Sequence, residues 1–283
     1  MAKHFKLTNE TKINAFGITL YRIECTLDFK WAKCGDKGGW VEKEDNIRDN
    51  AWVFGNAEVF GNAEVYGDAR VCGNAEVYGD ARVCGNAEVY GNAEVYGNAE
   101  VYGDARVCGN AEVYGDAWVY GNAEVYGNAE VCGNARVYGD AEVCGNARVY
   151  GDAWVFGNAE VYGYARVYGD AWVYGNAEVY GDAWVYGDAR VYGNAEVCGN
   201  ARVYGDAEVY GNADYCCFQS FGSANRTTTV FKQKDGSLRV QCGCFSGTIQ
   251  EFAEAVDKTH GDSKFGKEYR AMIELIKIRF DKE

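Results

Sequence analysis

The residues of this 283-residue chain that could do chemistry are few and unevenly placed. Its two histidines, His4 and His260, lie outside the long central repeat, so that repeat holds no imidazole for a general base or a three-histidine metal centre. Cys216, Cys217, Cys242 and Cys244, with His260, carry the ligand types that zinc takes. Their CC and CxC spacings match the usual CxxC poorly, and packed or exposed thiols of a small β-layer are the plainer reading. No nucleophile, base or phosphate-cradling loop stands beside the repeat, so no catalytic residue, metal or cofactor is expected.

What remains is recognition. Trp118, Arg136, Trp154, Trp172 and Arg190 follow one another at intervals of 18, and Tyr120, Tyr138, Phe156, Tyr174 and Tyr192 run beside them two positions on. Trp, Tyr and Arg are the side chains that anchor protein interfaces. Glu124, Glu142, Glu160, Glu178 and Glu196 share the same interval and make an acidic column. Both sets have meaning only if residues 18 apart are neighbours in space.

The repeat supplies that condition. GNAEVYGNAEVYGNAEVY, Gly85 to Tyr102, is one hexapeptide three times over, and A-x-V-[YFC]-G recurs 27 times from Ala51 without insertion. Ala and Val of A-x-V point one way along a strand, and the residue between them and the aromatic point the other. Gly followed by Asn or Asp, residues that tolerate positive φ, makes a corner. Three strands and three corners close a coil of 18 residues, and nine such coils at roughly 4.8 Å would reach about 43 Å. Val89, Val107 and Val125 are then expected in one interior column.

Outside, the coil produces three faces. One is the glutamate column from Glu124. A second runs Glu58, Glu76, Glu94, Glu112 and Glu130, then Arg148, Arg166, Trp184 and Arg202. The third carries the Trp/Arg set, with no glutamate between Glu100 and Glu208. Tyrosine occurs on every face and is read as a ladder that supports stacked strands. Three of the seven tryptophans share the third face, which singles it out as an interface. Those rings point away from a Val/Ala core, so their removal is expected to leave folding nearly untouched. Of ten Gly-Asp corners, eight are followed two places on by Arg or Trp; Asp is expected to meet that Arg or to avoid a second carboxylate.

Between Ala51 and Ala213, 14 Glu and 10 Asp against 8 Arg give −16, within a whole-chain charge of −14. Direct nucleic-acid or anionic-membrane binding, which needs clustered cations, is disfavoured. The N-terminus MAKHFKLTNETK has no apolar signal region, and no run is long enough to span a bilayer, so a cytoplasmic protein is expected. Cys72, Cys84, Cys108, Cys132, Cys144 and Cys198 fill the slot Tyr or Phe fills elsewhere, which reads as free thiols in a reducing compartment.

Open solenoid ends template aggregation and need covers. Residues 1–38 read as an N-terminal β cap, 39–213 as the solenoid, and 214–283 as a β-hairpin turning at Lys234, Asp235 and Gly236 followed by two amphipathic helices. The first helix opens with a Thr248/Glu251 capping box and places Ile249, Phe252, Ala253 and Val256 on one face. The second does the same with Tyr269, Met272, Ile273, Ile276 and Phe280.

V-Y-G-N-A-E matches the aliphatic-x-x-x-small-x pattern of the hexapeptide-repeat superfamily, which the chain resembles over more than half its length. That resemblance implies a mainly β fold, a left-handed parallel β-helix with triangular coils. The ends, LYRIECTLDF…GDKGGWVEKEDNI and CGCFSGTIQEFAEAVDKTHGDSKFGKEY, are similar to those of uncharacterised hexapeptide-repeat proteins of gut bacteria and their phages. The best-known superfamily members are acyltransferases with a histidine base at a groove between subunits, which the solenoid here lacks. The function expected is therefore a non-enzymatic scaffold for a protein partner or for self-association through the Trp/Arg/Tyr face. The alternatives are an acidic decoy resembling DNA, from a phage or mobile element, and a diverged acyltransferase.

Overall fold

The computed structural model describes residues 3–211, 214–233 and 235–280, with the side chain of Arg226 excepted. They fall into two compact units, Met1–Gly157 and Asn158–Glu283.

The first unit begins with antiparallel strands Phe5–Ile13 and Thr19–Cys25. A third strand, Lys37–Val41, pairs antiparallel with the second and, on its other edge, parallel with the first repeat strand of its sheet, Trp40 opposite Glu58 and Val41 opposite Val59. From Trp52 onward each hexad contributes a strand of two to four residues. Within this unit a repeat strand pairs with the third strand before it and the third after it. Val89 lies opposite Val71 and Val107, and Val107 opposite Val125, so the 18-residue coil and the interior valine column are as expected.

Alternation explains the packing. Every repeat Ala and Val from Ala51 to Val209 is at most 1% exposed, and a fully buried valine contributes about 1.5–3 kcal/mol. The residues between them, Trp52 apart, stay at least partly exposed, and the outward-facing positions bond one coil on through their backbone N–H groups: Arg106 N to Ala123 O at 2.9 Å, Cys108 N to Val125 O at 2.9 Å and Asn110 N to Gly127 O at 2.7 Å. Three such bonds per hexad satisfy the main chain without any local hairpin.

At the corners glycine alone takes the left-handed conformation. Gly109 has φ +74°, and the Gly127 backbone of the next coil lies so close that an added Cβ would stand 2.9 Å from Gly127 O. The neighbouring Asn or Asp also tolerates positive φ, yet among the described residues no repeat Asn or Asp adopts it. Its side chain has another task. Asn56, Asn74, Asn92, Asn110, Asn128 and Asn146 form a ladder in which each Nδ2 donates to the next Oδ1 at 2.9–3.3 Å. In the other two corner columns of this unit an Asn donates to an Asp one coil on, as Asn98 to Asp116 at 2.8 Å and Asn122 to Asp140 at 2.8 Å. Of the two expected roles, the Asp–Arg ion pair within a hexad is not found among the described residues and avoidance of a second carboxylate stands; the amide, 18 residues away in parallel register, reaches the carboxylate in line with the stack.

The start of the solenoid is covered. Trp52 is 1% exposed, with Phe29 and His4 against it at 5.5 and 6.0 Å between ring centres. His4 Nε2 lies 2.9 Å from Ala51 O, and burial holds its pKa below the ordinary imidazole value.

The second unit repeats the coil, with Val179 opposite Val161 and Val197, up to the strand Glu208–Val209. The expected solenoid limit, Asn212 and Ala213, lies outside the described residues, as does Lys234 of the expected turn. After it come four antiparallel strands, Tyr215–Phe221, Arg226–Lys232, Leu238–Cys242 and Phe245–Gly247, in that order. The expected hairpin is their middle pair. Helix α1 (Ile249–His260) starts at a Thr248/Glu251 capping box, and α2 (Lys264–Phe280) follows. Phe252, Val256, Tyr269, Met272, Ile273 and Ile276 pack with Val230, Val240 and Cys242 into one core, so the apolar helix faces close on the sheet.

Candidate functional site

In the first unit the register sets Trp118 opposite Glu100 and Arg136, and Arg136 opposite Trp154. The Arg136 guanidinium carbon sits 4.8 Å from the Trp118 ring centre and 4.9 Å from that of Trp154. Beside this sandwich Tyr102, Tyr120, Tyr138 and Phe156 stack within 5° of parallel, 4.8–4.9 Å apart. Tyr102 meets Trp118, and Tyr138 meets Trp154, edge to face at 6.4 and 6.3 Å. In the second unit Arg190 lies 4.9 Å from Trp172, Tyr174 stacks on Tyr192 at 4.9 Å, and Trp172 meets Tyr174 edge to face at 6.5 Å. Each unit thus gathers its own share of the ten expected residues.

That geometry corrects one expectation. The tryptophans were read as free rings whose loss folding would not feel, yet Trp118 and Trp154 are half-buried and their π faces hold Arg136. A cation–π contact contributes about 0.5–1 kcal/mol at an exposed site, and an aromatic pair about 0.5–1.5 kcal/mol. The ladder is structural as well as available.

The arginines divide by their neighbours. Where the column offers a glutamate they form ion pairs: Arg70 with Glu88, Arg82 with Glu100 at 3.1 Å, Arg106 with Glu124 at 2.9 Å and Arg148 with Glu130 at 2.9 Å. Arg136 has no carboxylate partner among the described residues. A guanidinium stacked through its faces keeps its in-plane N–H donors for an acceptor.

The acidic column is less bare than its sequence suggests. Glu124 is held by Arg106, Glu142 accepts from Tyr126 Oη at 2.8 Å and Glu178 from Tyr162 Oη at 2.9 Å; Glu160 and Glu196 stand in register with Glu178. The same tyrosine-to-glutamate bond joins Tyr78 to Glu94 and Tyr96 to Glu112 in the second column. Glu76 has Phe60 at the position from which that donor would come. Burial first, then the charges of Glu58 and Glu94, raise its pKa. A raised folded pKa penalises the ionised form, so the penalty is present at pH 7 and disappears as the pH falls through the raised value. Glu76→Gln should therefore raise the melting temperature at pH 7 in low salt, and the gain should shrink toward pH 5. A gain equal at both pH values would contradict the assignment.

None of the twelve cysteines forms a disulfide. Cys84 and Cys132 receive the hydroxyls of Tyr66 and Tyr114 from the preceding coil, and burial pushes both thiols up. Thiolate is the reactive form, so Cys84 and Cys132 should alkylate slowly in the folded chain, and every repeat thiol should alkylate fully after unfolding without reductant. Mass measurement checks this, and a surviving intrachain disulfide among Cys72, Cys108 and Cys144 would be incompatible with the register.

Of the zinc candidates, Cys216 packs against the helix core, its thiol pushed up to about 11 by burial. Cys217 lies 3.8 Å from Tyr215 Oη, Cys242 3.9 Å from Tyr269 Oη, and the His260 ring stacks on Tyr269 at 5.3 Å; Cys244 is exposed. Among the described residues no three His, Cys, Asp or Glu side chains gather as metal ligands.

Sequence reasoning missed the corner ladders, whose signal is the alternation of Asn and Asp at intervals of 18: Asn62, Asp80, Asn98, Asp116, Asn134, Asp152. No described helix is long and apolar enough to cross a membrane. A search of curated proteins finds no match to the chain. Residues 69–85, 105–121 and 141–157 match a family model described as the YdcK beta solenoid repeat. Each match begins at a repeat alanine and the next starts two coils on, so with its 18-residue coils the chain is a parallel β-solenoid repeat protein.

Proposed function

We propose that the chain is a non-catalytic scaffold, a left-handed triangular β-helix of the hexapeptide-repeat type, that binds another protein through its Trp/Arg/Tyr column. The triangular coil is supported by the three parallel sheets to which successive strands contribute in turn, and the hand by the resemblance of V-Y-G-N-A-E to that superfamily. Free, half-buried thiols favour a reducing cytoplasm.

The observation that carries the reading is Arg136, clamped between two tryptophans and without a carboxylate of its own. A side chain fixed in advance loses little entropy on binding, and a charge-assisted bond to a partner's carboxylate or carbonyl is a strong one. The acidic-decoy reading is weaker, because Glu124, Glu142 and Glu178 already hold partners. Immobilised chain should capture a protein from cell lysate that an Arg136→Gln chain of equal stability does not. Capture of the same proteins by both would remove this column as the site.

A further inference from the structure

At the end of the second unit's coils a polar cleft of about 490 Å³ opens between the last repeat strands and the four-stranded sheet. Asn200 and Arg202 come from the coil; Asn225, Thr227, Thr229 and Gln241 come from the sheet and its first turn. No carboxylate among the described residues lines it, in a chain of net charge −14.

Its hydrogen-bonding groups are unspent because the repeat stops here. Along the corner ladders Asn Nδ2 donates to the residue one coil on, as Asn176 does to Asn194 at 3.1 Å. Asn200 has no coil after it, and its amide has no partner among the described residues. The Asn225 amide and the Thr227 hydroxyl are likewise without one. Thr229 Oγ1 accepts from Arg202 N at 3.3 Å, which leaves its own proton to give. Tyr204 Oη fixes the Gln241 carbonyl, and Gln241 Nε2 donates to Gly243 O at 2.6 Å, so that wall is rigid. Arg202 lies 4.7 Å from the Trp184 ring centre and has no carboxylate partner among the described residues. It is exposed, and its stacked guanidinium presents in-plane donors to the cleft.

We infer that this cleft binds a sugar acid, one carboxylate on a small polyhydroxylated body. Ligand sites for apolar molecules are walled mainly by hydrophobic side chains, whereas amides and hydroxyls both give and accept and so match sugar hydroxyls. The volume exceeds what a bare carboxylate would fill. A single guanidinium matches a single negative charge in bidentate fashion; a phosphomonoester, with about −1.5 to −2 at neutral pH, would leave charge uncompensated.

Titration calorimetry of the full chain with D-glucuronate, D-glucose and D-glucose 6-phosphate tests this. Saturable binding of glucuronate is expected, with glucose at least about tenfold weaker for want of the charge-assisted bond and glucose 6-phosphate no tighter than glucuronate. Arg202→Gln should weaken glucuronate at least about tenfold and leave glucose unchanged. Thr227→Val and Asn225→Ala, which spare the coil, should each weaken both sugars and serve if Arg202→Gln fails to fold. Absence of saturation with glucuronate, equal affinity for glucose, tighter binding of the phosphate, or indifference to all three substitutions would each overturn the assignment.

Discussion

Alanine at Gly109 is expected to destabilise the chain by about 2–4 kcal/mol, while alanine at Gly55 costs only about 1–2 kcal/mol. Both glycines sit at repeat corners of the first unit with positive φ, +74° and +61°. An L-residue in that conformation loses about 1–2 kcal/mol. They differ in what a methyl group would meet. At Gly109 the added Cβ falls 2.9 Å from Gly127 O and 3.0 Å from Gly127 N, whereas at Gly55 the nearest atom, Gly73 O, is at an ordinary 3.5 Å. The obstacle at Gly109 is backbone, which can yield only by parting two coils that share the bond from Asn110 N to Gly127 O at 2.7 Å. Urea unfolding of the two variants separates the terms. Equal costs would mean that the corners are selected for conformation alone and that coil spacing is not set by glycine.

The second large effect concerns the Trp column. Trp118→Ala with Trp154→Ala removes both faces that hold Arg136 and the edge contacts to Tyr102 and Tyr138. Two cation–π contacts at about 0.5–1 kcal/mol and two aromatic contacts at about 0.5–1.5 kcal/mol make a loss of about 2–5 kcal/mol in stability. The valine interior is untouched, and the chain should still fold. Loss of an interface anchor costs about 2 kcal/mol or more, so partner affinity should fall at least about thirtyfold. Trp118→Phe with Trp154→Phe keeps an aromatic face for Arg136 and should recover most of the stability while affinity stays reduced. Calorimetric melting and titration of the captured partner read the two quantities separately. A double alanine variant that folds and binds as before places the interface elsewhere.

The coil was legible because its rule is local and repeated. A-x-V alternation states which side is inside, and a strict six-residue period without insertion fixes which residues stack, so the Val71, Val89, Val107 and Val125 column and the Trp118, Arg136, Trp154 column could both be written down from spacing. What spacing does not show is how side chains share a surface. Glu76 lacks the tyrosine bond that Glu94 has because Phe60 replaces a tyrosine 16 residues earlier, a relation that exists only after coils are stacked. The Asn-to-Asp bonds such as Asn98 to Asp116 were hidden for the same reason: reading within a hexad suggested an Arg partner, and the true donor lies one coil away. The strand Tyr215–Phe221 escaped because YCCFQSF has no polar alternation, its pairing being decided by Arg226–Lys232 across a turn at Asn225, which takes φ +48°.

Hydroxyl-radical footprinting of the chain alone and with its captured partner tests the central claim most directly, since it reads which outward side chains the partner covers. The account predicts protection of Trp118, Tyr120, Tyr138 and Trp154, with Tyr96 and Tyr126 on the other two faces oxidised as in the free chain. Protection confined to Tyr126 and Tyr162 beside the glutamate column, or to the helices α1 and α2, would contradict it.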